Sequence, residues 1–279
     1  MDILSALIFG IIQGATEFLP VSSSAHLALV HIFTGMIGPD GYPGFDVLLH
    51  LGTLFAVFAA YGKTLSGVFK GLFTAPYKLI KNKFRTSALD DGERMAVFTV
   101  IATLPVVISA LCGADKLSDA VSGSPLTIGI LLLINGALLI VADLHKQGRT
   151  AEYEITPKHG ILVGLFQAAA VVPGISRSGA TVTGGILCGI RRETAVKLSF
   201  VISVPAIIGA CILKIPDLAA VPAGPGSAPV YITGCAAAAM TGSAAIKLLK
   251  YLSDRSKLRY FSFYCFALGA YTVFRSLRG

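Results

Sequence analysis

The feature that most constrains this chain is a series of apolar runs, each long enough to be buried in lipid and almost free of charge. They are Phe45–Tyr61, Met95–Gly113, Leu126–Ala142, Ala195–Leu213, Val230–Leu249 and Tyr260–Phe274. A helical span needs about 20 mostly apolar residues, whereas a membrane barrel is written in alternating segments of about ten. These runs are continuous, so the expected fold is an all-α polytopic membrane protein. Composition agrees. Of 279 residues, 54% are hydrophobic and 14% charged, and the mean hydropathy is +0.75, against about 25% charged in soluble domains. The net charge of +8 does not imply nucleic acid. Basic residues gather in segments 62–92, 191–192 and 247–259, while 36–44, 114–125 and 214–229 are charge-poor. That asymmetry is the positive-inside pattern. The N-terminus lacks a basic n-region and an A-x-A site and is not read as a cleaved signal peptide. The five cysteines have no metal-type spacing and are expected to be buried free thiols.

Two apolar runs break at polar clusters. Gln13–His26 reads Q-G-A-T-E-F-L-P-V-S-S-S-A-H, and Gln167–Thr181 reads Q-A-A-A-V-V-P-G-I-S-R-S-G-A-T. The flanking pieces Ala25–Ile37, Gly160–Val172 and Gly179–Ile190 are too short to cross. Each cluster is therefore expected at the tip of a re-entrant helical hairpin. Six transmembrane helices plus two such hairpins make the loop charges self-consistent, with the first hairpin open to the outside and the second to the cytoplasm. Arg275 and Arg278 then fall outside, against the rule. Weak internal similarity supports inverted-topology repeats. Gly10–Gln13 before Pro20 parallels Gly164–Gln167 before Pro173, and Asp46–Leu51 parallels Glu193–Leu198. The chain is read as one integral membrane domain, 1–279, with repeats of about 1–145 and 155–279, its site near the midplane where broken helices meet.

Arg177 and Glu17 carry the chemical argument. An ionisable side chain at mid-membrane depth costs about 2.5–3.5 kcal/mol on insertion scales and marks a functional cavity. Gly174, Ser176, Ser178, Gly179 and Thr181 surround Arg177 at the start of a helix, which is the composition of a phosphate site. Glu17 lies one helical turn after Gln13. The two suit Mg²⁺ or Ca²⁺ beside a phosphate. Alternatively, Glu17 is a general acid/base and Gln13 an interhelical hydrogen-bond partner. If a helix begins near Ser22, Ser23 and His26 are an i,i+3 pair, a hydroxyl with an imidazole in reach. A serine there is equally an N-cap. His50, four residues after Asp46, is a weaker candidate that could reach the cavity rim or pair with Asp46.

Taken together, Gln13–His26, Phe45–Thr53 and the P-G-x-S-R-S-x-x-T stretch Pro173–Thr181 resemble the undecaprenyl-diphosphate phosphatase (bacitracin-resistance) family over essentially the whole chain. The resemblance implies removal of the terminal phosphate of undecaprenyl diphosphate, which recycles the lipid carrier for cell-wall glycan synthesis. It implies dependence on a divalent cation, location in the plasma membrane and a pocket opening to the outer face. It also implies Ser23 as nucleophile, His26 as its proton partner and Glu17 as the second essential acidic residue. Arg177, Ser176, Ser178, Thr181 and Gly174 would hold the diphosphate. Gln13 stands where the family also permits Glu, which weakens a two-carboxylate metal site. The other membrane lipid phosphatase class, with an S-R-x5-H motif, is not matched, because no histidine follows Arg177 at that spacing.

Expected partners are the polyprenyl diphosphate substrate, membrane lipids and, as an assembly the sequence leaves open, a second copy in a homodimer. The alternative function is a lipid-phosphate flippase or transporter using the same midplane anion site. The topology makes a direct prediction. A cysteine placed at Asp40 should react with an impermeant thiol reagent from outside intact cells and one at Lys81 should not. The reverse labelling pattern would invert the assigned orientation.

Overall fold

The computed structural model describes the chain except residues 38–40, 43, 84, 86–87, 215, 217–226 and 279. Its helices are α1 (Ile3–Phe18), α2 (Ser23–Thr34), α3 (Phe45–Lys81), α4 (Asp91–Leu111), α5 (Ala114–Ser122), α6 (Pro125–Leu144), α7 (Pro157–Ala169), α8 (Arg177–Leu187), α9 (Arg192–Leu213), α10 (Ser227–Asp254) and α11 (Arg259–Arg278). No β-strand occurs among the described residues, and a single bridge joins Thr150 to Ile190. The fold is an all-α polytopic membrane protein. Asp40, with residues 38, 39 and 43 of the charge-poor segment 36–44, and most of segment 214–229 lie outside the described residues.

Local chemistry sets the helix boundaries. Asp2 caps α1 by accepting from the Ser5 N–H at 2.8 Å. Asp90 and Glu93 form a reciprocal capping box at the start of α4. Ser124 caps α6, whose first residue is proline. These groups satisfy N–H donors that a helix start leaves unpaired.

Five helices, α3, α4, α6, α9 and α10, are long and apolar enough to cross a membrane. The expected sixth span, α11, has the length at 20 residues but carries Arg259, Arg275, Arg278 and several tyrosines. α3 runs for 37 residues, longer than a span requires, and bends at Tyr61, whose φ/ψ of −128/22° leave the helical region. The segment after the bend exposes Phe69, Phe73, Tyr77 and Ile80. The cysteines are free, but only Cys265 is buried and Cys112 is exposed. Cys112 is the C-cap of α4, where the chain leaves the packed bundle.

The first helix of each polar break packs against the opposite half of the chain. α1 lies along α10, and α7 lies along α4. Both contacts depend on small residues. A Cβ on Gly10 would overlap the Gly234 carbonyl and sit 2.7 Å from Ala237 Cβ, and one on Gly164 would sit 2.9 Å from Pro105. In lipid, where apolar surface gains nothing by leaving the tails, close backbone approach of this kind drives helix association. α6 and α11 pair along their length and close the bundle behind the breaks. Gly10→Leu should destabilise the fold by about 1–3 kcal/mol through overpacking. A lowered Tm of the detergent-solubilised protein would register this.

Candidate active site

Where α1 ends and α2 begins, the chain turns at Leu19–Ser22. Where α7 ends and α8 begins, it turns at Ala170–Ser176. The two turns meet. Glu17 is buried, and one of its carboxylate oxygens takes the Arg177 guanidinium as an ion pair. The other accepts from Ser23 Oγ at 2.7 Å and from Gln13 Nε2 at 3.1 Å. Gln13, Glu17, Ser23 and Arg177 therefore form one connected cluster drawn from both polar breaks.

Backbone groups freed at the breaks find partners across the junction. Gly174 N–H donates to Ser22 Oγ at 3.1 Å, and Ser178 Oγ donates to the Leu19 carbonyl at 3.3 Å. Asn135, fully buried on α6, donates to the Pro20 carbonyl at 2.8 Å and accepts from the Ser176 N–H at 3.0 Å. One amide thus fastens both breaks to the bundle. The composition of the breaks gave no hint of it. The available signal was a lone Asn within the apolar run Leu126–Ala142. Ser22 has φ +71° and ψ 98°, a left-handed conformation that disfavours a side chain, and holding it costs of order 1–3 kcal/mol. Gly174 has φ +114°, which suits a residue without Cβ.

The expected Ser23–His26 pairing is not what forms. The helix starts at Ser23, so the Ser23 hydroxyl turns back to Glu17 while His26 sits one turn further on. His26 Nδ1 is 2.7 Å from the Ser22 carbonyl, and Nε2 is 2.7 Å from the Tyr264 hydroxyl. Its ring stacks on Tyr264 at 5.6 Å between centroids. Because a carbonyl only accepts, Nδ1 carries the proton, and Nε2 of the neutral ring accepts from Tyr264. The imidazole clamps the strained Ser22 carbonyl and leaves the serine to the carboxylate.

A cavity of about 270 Å³ opens at this junction. Its polar end is formed by Glu17, Ser22, Ser23, Ser24, Ser176 and Arg177, with His50 of α3 beside them. The rest of its lining is mostly apolar, with Val106, Val171, Ile175, Ala206, Ile207 and Ala210 beside Thr16 and Gln167. Among the residues expected to bind phosphate, Arg177 and Ser176 line this space. Ser178 and Thr181 are buried behind it. Ser178 bonds Ser176 at 3.0 Å, and Thr181 bonds Ser199 at 2.7 Å. Gly174 is spent on the turn. Ser178 and Thr181 build the site rather than face it, because the start of α8 directs both into the protein. The α2 and α8 helices both begin at the cavity, Ser176 capping the latter through the Gly179 N–H at 3.1 Å. Two helix N-termini and a guanidinium make the polar end a receptor for an anion.

For a hard cation the donors are Glu17 and Gln13 Oε1, a buried acceptor with no partner among the described residues. No group of three His, Cys, Asp or Glu that could hold a metal occurs among the described residues. The set fits an ion that draws its remaining ligands from phosphate oxygens and water, as Mg²⁺ commonly does.

An anion site joined to an apolar slot, inside a bundle of membrane helices, defines a protein that handles a lipid phosphate. The chain belongs to the family described as bacitracin resistance protein BacA, whose model matches residues 6–271. Curated relatives match along nearly their whole length. An undecaprenyl-diphosphatase of Methanosphaera stadtmanae is 35% identical over 99% of both chains. One of Alkaliphilus metalliredigens is 36% identical over 99% of this chain and 100% of its own. One of Pelotomaculum thermopropionicum is 39% identical over 92% of this chain and 90% of its own.

The Asn135 bridge makes a prediction. Asn135→Leu keeps the branched shape but leaves the Ser176 N–H unpaired and the Pro20 carbonyl with only the weak Cys265 thiol donor at 3.8 Å, and a buried orphan costs about 1–3 kcal/mol. A clear fall in Tm is expected in detergent. An unchanged Tm would show that the breaks do not depend on this amide.

Proposed function

We propose that this protein hydrolyses undecaprenyl diphosphate, or a closely related polyprenyl diphosphate, to the lipid monophosphate and inorganic phosphate, returning the carrier for cell-wall glycan assembly. The observation that carries this reading is the Ser23–Glu17–Arg177 cluster at the polar end of a cavity whose remaining lining is mostly apolar. A diphosphate fits the first part and the start of an isoprenoid chain the second. Carriage alone requires no hydroxyl hydrogen-bonded to a carboxylate, so the flippase reading is the weaker one.

Ser23 Oγ is the nucleophile and Glu17, at 2.7 Å, takes its proton. Arg177 turns from Glu17 to the transferred phosphoryl group, joined by the N-termini of α2 and α8 and by Ser176. Phosphoryl transfer is governed by such positioning and charge neutralisation. With Arg177 drawn to the phosphate, the Glu17 carboxylate keeps its hydrogen bond from Ser23 Oγ and is the group placed to take that proton. His26 acts as a positioning residue through the Ser22 carbonyl. Mg²⁺ or Ca²⁺, held by Glu17 and Gln13, would neutralise diphosphate charge.

The two-repeat reading, about 1–145 and 155–279 in inverted orientation with both breaks as re-entrant hairpins, draws support from the reciprocal packing of α1 on α10 and α7 on α4. Gln13 and Gln167 occupy matching places, each buried with an amide oxygen lacking a partner among the described residues. The loop-charge pattern supports a plasma-membrane enzyme whose pocket opens outward.

The test is inorganic phosphate release from a polyprenyl diphosphate in detergent. Turnover should require divalent cation and be abolished by EDTA. Arg177→Ala and Ser23→Ala should each lower kcat by at least about 10²–10³-fold, the range seen when one charge-stabilising donor is removed. Folded wild-type protein that releases no phosphate with divalent cation present would overturn the hydrolase reading in favour of carriage.

A further inference from the structure

The polar breaks supply a nucleophile, its base and an anion clamp. They leave one requirement of the proposed hydrolysis unmet. The oxygen that bridges the two phosphates must leave with the lipid, and a proton delivered to it eases that departure. Glu17 is committed to Ser23. His26 has both ring nitrogens engaged, by the Ser22 carbonyl and the Tyr264 hydroxyl, and is not among the residues that line the cavity.

His50 is differently placed. It sits on α3, outside both breaks, and lines the cavity with Glu17, Ser23 and Arg177. Its Nδ1 is 2.8 Å from the Asp46 carbonyl one turn earlier. A carbonyl only accepts, so Nδ1 keeps its hydrogen and Nε2 is the atom that gains and loses a proton. The surrounding charges suit this. The Asp46 carboxylate is taken by Lys214 of α9, and Glu17 of α1 is taken by Arg177 of α8. His50 and Glu17 line the same cavity. Of the other helices packed on α3, α9 adds the thiol of Cys211 near Asp46, α10 runs with Cys235 beside Gly52, and α4 presents Val106 to the cavity. The apolar wall of Ala206, Ile207 and Ala210 belongs to α9, which packs beside α3. A diphosphate clamped at Arg177 with its lipid against α9 would lie in the same cavity that His50 lines.

We propose that His50 is the catalytic acid of this site, protonating the leaving lipid phosphate. The inference rests on the diphosphatase reading above. Ser23 Oγ bonds to the terminal phosphorus as that atom's bond to the bridging oxygen breaks. The Ser23 proton passes to Glu17, and the His50 Nε2 proton passes to the bridging oxygen, which departs as lipid monophosphate. Water then attacks the phosphoserine and gives a proton to the neutral His50. Ser23 Oγ leaves the phosphorus and recovers its proton from Glu17. One water is consumed, and acid and base are both restored.

The experiment measures kcat and KM against pH for full-length wild type, His50→Ala and His50→Gln with a polyprenyl diphosphate and divalent cation. A general acid must be protonated, so wild-type kcat should fall toward alkaline pH. Both variants should lose about 10²–10⁴-fold in kcat with little change in KM, and that alkaline fall should be absent from them. Added imidazole should restore part of the His50→Ala activity and little of the His50→Gln activity, where the side chain fills the gap. Gln keeps bulk and a donor toward Asp46, so it carries the test if the Ala variant fails to fold. Active wild type with variants within about threefold of it would overturn the His50 role and leave the diphosphatase reading standing. So would a loss of kcat that keeps the wild-type pH profile and resists imidazole. A wild type that releases no phosphate would overturn the diphosphatase reading itself.

Discussion

The Glu17–Arg177 ion pair is the contact on which the rest of the structure depends. Both charges are held largely away from solvent at the junction, and breaking a buried pair by removing one partner typically costs about 3–5 kcal/mol. The two residues come from the two halves of the chain, 160 positions apart. Neither half can bury its own charge without the other. The pair therefore makes docking of the two breaks a condition of stability, and it leaves the opposed charges at the edge of a cavity, where a ligand can compete for one of them.

Around that pair the problem is backbone rather than charge. A helix broken inside lipid exposes N–H and C=O groups that no water will satisfy. Ser22, Ser178 and Asn135 meet this need across the junction, bonding Gly174, Leu19, Pro20 and Ser176. The strained Ser22 is held on both sides, its hydroxyl by Gly174 and its carbonyl by His26. The breaks are stable because they are closed by one another and by α6.

Much of this was legible beforehand. Continuous apolar runs announced membrane helices, and Glu17 and Arg177 stood out because charge is expensive there. The same reasoning could not sort the polar residues by the direction they face. Ser176 and Ser178 look alike in sequence, yet one lines the cavity and the other is buried behind it. His26 reads as a partner for Ser23 from its i,i+3 spacing, but that spacing fixes only the helix face. The exact first residue of α2 decides whether the hydroxyl looks forward to the imidazole or back to the carboxylate. Asn135 and Tyr264 were invisible because their role depends on α6 and α11 packing behind the breaks. The end of α3 was blurred for a similar reason. A bend at Tyr61 lets one helix run on past the length of a span, where composition suggested two separate elements.

Broken helices also do what continuous ones could not. A continuous helix would carry its peptide dipoles past the cavity with no free N–H to offer. Interrupting it twice brings the N-termini of α2 and α8 to one cavity, each presenting unpaired donors and a partial positive charge. Against a diphosphate these fixed dipoles add to Arg177 without requiring further formal charges in the membrane, each with its own insertion cost. They are also oriented before any ligand arrives, so little reorganisation is needed as negative charge builds on the phosphoryl oxygens. The strain at Ser22 belongs to the same arrangement, since that turn starts α2 where its first hydroxyl meets Glu17. Local instability in the two breaks is thus what allows a largely apolar chain to hold a highly charged headgroup.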